Sequence, residues 1–192
     1  MKLDNEMPGR TYSILHGHAA ENFGYVTTRD ADTLGVPKQT LWVMHNRGTV
    51  ERVTRGVFRF PDVPATTLDT YRAATLWPLE LEGVLTHATA LDLHDLCNIN
   101  PTKIDVAVPM SFRTTRTPPA VIRLHRLDIP DDELTWQEGL PIVTVPRAIA
   151  GAIEQHVGWN LIDQAIDTAR ARGRITGAQA NELRALRPTT AT

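Results

Sequence analysis

Cysteine is almost missing from this sequence. Cys97 is the only one among 192 residues, so no intramolecular disulfide can form, and the reducing cytoplasm is the expected setting. Long apolar runs are missing too. LWVM and AIAGAI are far shorter than the roughly 20 residues that cross a bilayer, so no membrane role is expected. The opening stretch, MKLDNEMPGR, has no apolar core of the kind a signal peptide needs. The formal net charge is only −2. The chain is therefore no polycation, and any affinity for nucleic acid has to come from a local cluster. A Walker loop and a Gly-rich dinucleotide fingerprint are both absent, and no cofactor is expected.

What is there is an ordinary globular composition, 42% hydrophobic and 22% charged, with length for one large domain or two small ones. Ile14, Leu15, Ala19 and Phe23 mark one face of a first helix, ended by Gly24. Thr27-Thr28-Arg29-Asp30 has the form of a capping box with Asp in the Glu place, so a second helix is expected over 28–34. Gly35-Val36-Pro37 is a tight turn, and Pro37 suits the first position of a third helix over 38–47. VERVTRGVFRF then reads as two short strands around Thr54-Arg55-Gly56, with glycine where a turn calls for positive φ. Pro61 and Pro64 close this module.

Two short helices, a tight turn and a hairpin make the pattern of a winged helix-turn-helix. Leu41, Met44 and Gly48 share one face of the third helix and are expected to pack inward. Lys38, Gln39, Trp42, Val43 and Asn46 then point away. A helix entering a major groove presents donors and apolar contacts in this way: Gln39 and Asn46 suit an adenine edge, Lys38 a guanine or a phosphate. From residue 47 to 59 the chain has four arginines, Arg47, Arg52, Arg55 and Arg59, against Glu51 alone. Arg55 falls at the hairpin tip, placed for a minor groove or a phosphate. The same pattern also serves protein-binding modules, and a shift of one residue in helix register would turn Trp42 into core.

The stretch GYVTTRDADTLGVPKQTLWVMHNRGTVERVTRGVFRFP resembles the N-terminal domain of AbiEi-family antitoxins. GVLTHATALDLHDLCNINPTKIDVAVP, VIRLHRLDIP and GLPIVTVPRAIAGAI resemble successive segments of that family's second domain. The resemblance implies an autorepressor that binds inverted repeats before its own operon, with pairing of protomers on DNA. It also implies an antitoxin acting against a partner toxin of nucleotidyltransferase-like fold. Carried over residue by residue, the DNA-contact stretch falls on Lys38, Gln39, Thr40, Trp42 and Val43, with Arg47, Arg52 and Arg55 in and around the wing; Thr28 and the outward-facing Asn46 complete the expected DNA-binding set. The sequence departs from the family at Pro37, where Ser or Thr is expected, and at Trp42-Val43, which replaces a more polar pair.

The remainder reads as a helix over 67–81 disturbed at Trp77-Pro78, a helix over 86–97, strands at 104–108, 121–127 and 142–145, and helices at 147–156, 159–172 and 177–186. The expected fold is thus α+β: a winged helix-turn-helix over 1–63, then a mixed α/β domain over 66–192. Within the latter, SFRTTRTPP suggests an exposed loop whose Arg113 and Arg116 extend a DNA or toxin contact. Asp128, Asp131, Asp132, Glu133 and Glu138 form an acidic stretch suited to a basic partner.

His87 and His94 lie seven apart, and the His94-Asp95 pair is a feature of metal-dependent phosphohydrolases. No distant His and Asp are marked out to complete such a site, so no metal and no enzymatic activity are expected. A metal-dependent hydrolase stays as the remote alternative, and a stand-alone transcription factor without a toxin as the nearer one. Cys97 has no base near it in sequence and is expected to be buried.

Overall fold

A computed structural model describes residues 7–187. Residues 1–6 of the opening stretch lie outside the described residues. The chain divides into two compact units, 1–82 and 83–192. Among the described residues no helix is long and apolar enough to cross a membrane.

The first unit contains helix α1 (Met7–Ala20), strand β1 (Tyr25–Thr27), helices α2 (Thr28–Thr33) and α3 (Gln39–Asn46), strands β2 (Glu51–Thr54) and β3 (Val57–Arg59), and helix α4 (Asp69–Leu76). The strands form an antiparallel sheet in the order β1-β3-β2. Helix α2 starts where it does because the capping box closes. Thr27 Oγ1 accepts the Asp30 amide at 3.1 Å, and the Thr27 amide donates to Asp30 Oδ2 at 2.8 Å. Two otherwise orphaned helix-end donors are thereby satisfied. Gly35 (φ +69) turns the chain toward α3. Pro37 stands before the helix rather than at its first position: its carbonyl accepts the Thr40 amide at 2.9 Å, and Lys38 occupies the cap without a side-chain bond.

Leu15, Ala19, Val26, Ala31, Leu41, Met44, Phe58 and Phe60 form the core of this unit. Burying a leucine such as Leu41 contributes about 1.5–3 kcal/mol. A separate small cluster joins Tyr25, Val57 and Leu76. Through it α4 packs on the sheet, and Arg59–Asp69 at 3.1 Å and Arg72–Asn22 at 2.9 Å add polar ties. The boundary expected at 63–66 therefore falls inside the first unit. Helix α4 is also shorter than expected, stopping before Trp77-Pro78.

The second unit has a five-stranded mixed sheet in the order β6-β5-β4-β8-β7. Its strands are β4 (Val84–Leu85), β5 (Ile104–Val108), β6 (Ile122–Arg126), β7 (Leu134–Gln137) and β8 (Leu140–Val143), and its helices α5 (His87–Leu93), α6 (Val145–Glu154), α7 (Trp159–Ala171) and α8 (Gly177–Ala185). Strand β5 runs parallel to β6 and antiparallel to β4, while β8 is parallel to β4 and antiparallel to β7. Strand β5, paired on both sides by β6 and β4, is buried along its whole length, and its near-continuous apolar run fits such a strand. Strands β4 and β7 were not expected from the sequence. Two residues are too few to show a period, and β7 follows the acidic stretch, which itself forms a 3-10 turn at Asp131–Glu133.

Candidate nucleic-acid interface

Helix α3 turns its apolar stripe inward and leaves a polar and aromatic face outside. Leu41 is fully buried and Met44 nearly so, whereas Trp42 is 39% and Val43 44% exposed. Lys38, Gln39, Asn46 and Arg47 are exposed as well, and Thr40 is half-buried. Two contacts set this helix beside the hairpin. The Arg52 guanidinium lies over the Trp42 ring, 4.8 Å from its centroid, and Trp42 meets Phe58 edge-on at 5.4 Å. His45 Nδ1 donates to the Val50 carbonyl at 3.1 Å, joining the end of α3 to the start of β2. Trp42 is therefore both exposed and packed: one side supports the hairpin, and the remainder faces solvent.

The hairpin turns at Gly56, whose φ of +74 suits glycine. An added Cβ there would also stand 2.7 Å from a Leu79 methyl and 3.1 Å from Thr28 Oγ1, so the position has neither torsional nor spatial room for a side chain. A register shift between Arg52 and Thr54 twists β2 as a bulge does. Arg55 sits exposed at the tip.

The candidate residues separate by what already holds them. The exposed side chains of Gln39, Asn46, Arg47 and Arg55 make no hydrogen bond or ion pair among the described residues. Lys38 pairs with Asp32 at 2.6 Å, both ends exposed, so part of its charge is answered locally. Thr28 is half-buried, and its amide donates to the Gly56 carbonyl, which makes it a strut under the turn. Arg59, counted among the four arginines of the basic stretch, turns away. It bonds Asp69 and the Val63 carbonyl and lies 5.8 Å from the Tyr25 ring centroid. Sequence reasoning passed over Val53, 45% exposed on the hairpin. Its alternation with Arg52 along a two-sided strand was the available signal.

In the second unit, His87 and His94 do not converge. The His87 ring stacks on His125 with centroids 3.8 Å apart and Nδ1 3.0 Å from Thr86 Oγ1. His94 Nε2 donates to the Val143 carbonyl at 2.8 Å. Among the described residues no three His, Cys, Asp or Glu side chains are placed to hold a metal.

The partners of His87 belong instead to a polar network around Asp105, which is 1% exposed. Asp105 Oδ1 accepts His125 Nε2 at 2.8 Å, Gln155 Nε2 at 2.9 Å and the Arg123 guanidinium at 3.3 Å, and the Asp105 amide donates to Thr89 Oγ1 at 2.8 Å. Burial, and then the neighbouring His125, push the His87 imidazole down to about 4. His87 also adopts φ +52, and an added Cβ on Gly151 would come within 3.2 Å of its ring. Cys97 is buried as expected, and burial raises its thiol above the usual range. Arg113 donates to its own loop at the Met110 and Phe112 carbonyls, and Arg116 is half-buried.

Residues 18–61 match the sequence model of the family described as "Transcriptional regulator, AbiEi antitoxin". That segment runs from the end of α1 through the hairpin, and over it the chain is similar to AbiEi regulators. The solved structure of the RV2827C protein from Mycobacterium tuberculosis is similar in fold, with a TM-score of 0.51 and 13% identity, over 95% of this chain and 83% of that one. No curated protein matches the sequence.

Proposed function

We propose that the first unit is a winged helix-turn-helix and that the protein is an antitoxin-type transcriptional regulator. Helix α3 enters a major groove and the β2–β3 hairpin acts as the wing. One observation carries this reading. Gln39, Asn46, Arg47 and Arg55 are exposed and unbonded on two elements that the Trp42–Arg52 contact places together. Unbonded amides and guanidinium groups beside exposed Trp42 and Val43 match what base edges, thymine methyls and phosphates take up. Gln39, Thr40, Val43 and Asn46 read bases, with Lys38, Arg47, Arg52 and Arg55 on phosphates.

By the AbiEi resemblance, the operator is an inverted repeat before the protein's own operon, bound by two protomers, and the protein opposes a nucleotidyltransferase-like toxin. The second unit is non-enzymatic in this reading, since the buried Asp105 carboxylate is taken up by His125, Gln155 and Arg123 and the buried His94 by a backbone carbonyl. Arg113 and Arg116 offer a secondary contact to duplex or toxin. A gel shift with the upstream DNA of the protein's own gene tests the first part: a retarded band that survives excess unrelated duplex is expected, and none would remove the regulator reading. Co-expression with a neighbouring nucleotidyltransferase-like protein tests the second. Rescue of growth is expected, and without it the stand-alone regulator is left.

A further inference from the structure

A groove of about 430 Å³ opens between α1 and α3. Tyr12, Pro37, Val43 and Met44 make it largely apolar, with Thr11 on the α1 side and Arg47 at the end of α3. The Tyr12 wall is fixed in place. Its ring stacks on His16 with centroids 5.3 Å apart and meets Phe60 edge-on at 5.7 Å. A preformed wall lowers the ordering cost of binding. The Arg47 side chain is exposed, and its guanidinium has no ion pair or hydrogen bond among the described residues.

We propose that this groove binds a small amphipathic carboxylic acid and that the bound acid excludes DNA from α3. The volume lies at the small end of ligand sites, about 300–1,000 Å³, enough for a bicyclic aromatic body and too little for a protein helix. The lining asks for an apolar body. One guanidinium asks for one anionic head, and its planar fork fits a carboxylate in two parallel bonds. A phosphate group, with more charge to answer, would find no second cation in the lining. Exclusion follows from shared residues: Gln39, Thr40, Val43 and Arg47 line the groove and also belong to the face assigned to DNA. Ligand and duplex then weaken each other by the same factor. This second half rests on the DNA reading of the previous section, whereas the ligand site stands without it.

Calorimetric titration of the full chain with 2-naphthoate and with its neutral amide separates the two. Naphthoate is expected to bind saturably, with the amide about tenfold weaker, as loss of a charge-assisted bond implies. Thr11→Trp fills the groove from α1, outside the DNA face. It should abolish binding of both probes with the circular dichroism spectrum unchanged. Arg47→Gln should bring the two affinities together, and it decides the matter should the tryptophan variant not fold. Absence of saturable binding, equal affinity for acid and amide, or binding that survives Thr11→Trp would overturn the site. In a gel shift, naphthoate should release upstream DNA from wild type and not from Thr11→Trp. DNA retained at saturating naphthoate would overturn the exclusion. A protein that binds no upstream DNA would remove the regulator reading, and the calorimetry would still decide the ligand site.

Discussion

The two units spend their polar side chains in opposite directions. In the first, Gln39, Asn46, Arg47 and Arg55 point outward with no internal partner, on a helix and a hairpin whose apolar residues do the holding. In the second, Asp105, His87, His94, Thr89 and Gln155 turn inward and are bonded within the unit. Water solvates the outward set until a partner replaces it. The inward set has already exchanged water for protein, and a buried group of that kind is expensive to leave unmatched. Polar side chains therefore point to recognition in one unit and to architecture in the other, and glutamine does both, at Gln39 and at Gln155.

That contrast breaks most visibly at Asp105. Asp105→Ala leaves the donors of His125, Gln155 and Arg123 without their shared acceptor, and a loss of about 3–5 kcal/mol is expected, as for other broken buried charge networks. Urea denaturation of the full chain measures it. A loss near zero would mean that the network is wet, and the second unit would regain standing as a candidate site.

The next largest effect is on pH. The native state holds His87 neutral down to about 4, whereas in the unfolded chain it titrates near 6.5. Above 6.5 both states are neutral and stability is unaffected. As pH falls from 6.5 toward 4 the unfolded chain takes up a proton that the native state refuses, so stability drops, and the loss levels off below 4. Burial pushes His94 in the same direction. His87 alone accounts for up to about 3 kcal/mol. His87→Phe keeps a flat ring against His125 and removes the proton, so denaturation curves for this variant should show a shallower decline than wild type between neutral and acid pH. An unchanged decline would place the titration elsewhere.

How much of this was legible beforehand divides along the same line. Near neighbours in sequence were readable: the Thr27–Asp30 box, the three-and-four spacing that buries Leu41 and Met44, and the glycine turn at Gly56 all act within a few residues. The outward face of α3 followed as the complement of its buried stripe. The Asp105 network was not readable, because it joins His87, Asp105, His125 and Gln155 through the β5–β6 register and the packing of α5 on α6. Spacing along the chain does not encode such a meeting. Read as a helix pair, His87 and His94 looked like partners. In the fold His87 has φ +52, and each ring goes to its own neighbour. Trp42 was anomalous for a reason that only three dimensions supply, since Arg52 covers part of it.

In the first unit the expected effects are on binding, with little change in stability, because the side chains concerned make no internal bonds. Gln39→Ala should lose about 1–3 kcal/mol of discrimination at one base pair, the value of a bidentate contact to adenine. Competition gel shifts against single-base operator variants read this directly. Equal loss on every sequence would move Gln39 from base reading to backbone contact.

Arg55→Ala should give the smallest and least selective change. At the hairpin tip it is exposed and unbonded, so folding should be indifferent to its removal. A phosphate contact carries no base information, and every duplex should weaken alike. Each neutralised phosphate releases condensed counterion, so the slope of log K against log salt should become shallower by about one unit. Measuring both variants across a salt series therefore sorts the two roles: Gln39→Ala should leave the slope intact and change sequence preference, and Arg55→Ala should do the reverse. If Arg55→Ala left slope and affinity both unchanged, the hairpin would not touch the duplex. The outward polar face would then shrink to α3 alone, and the contrast between the units would rest on Gln39, Asn46 and Arg47.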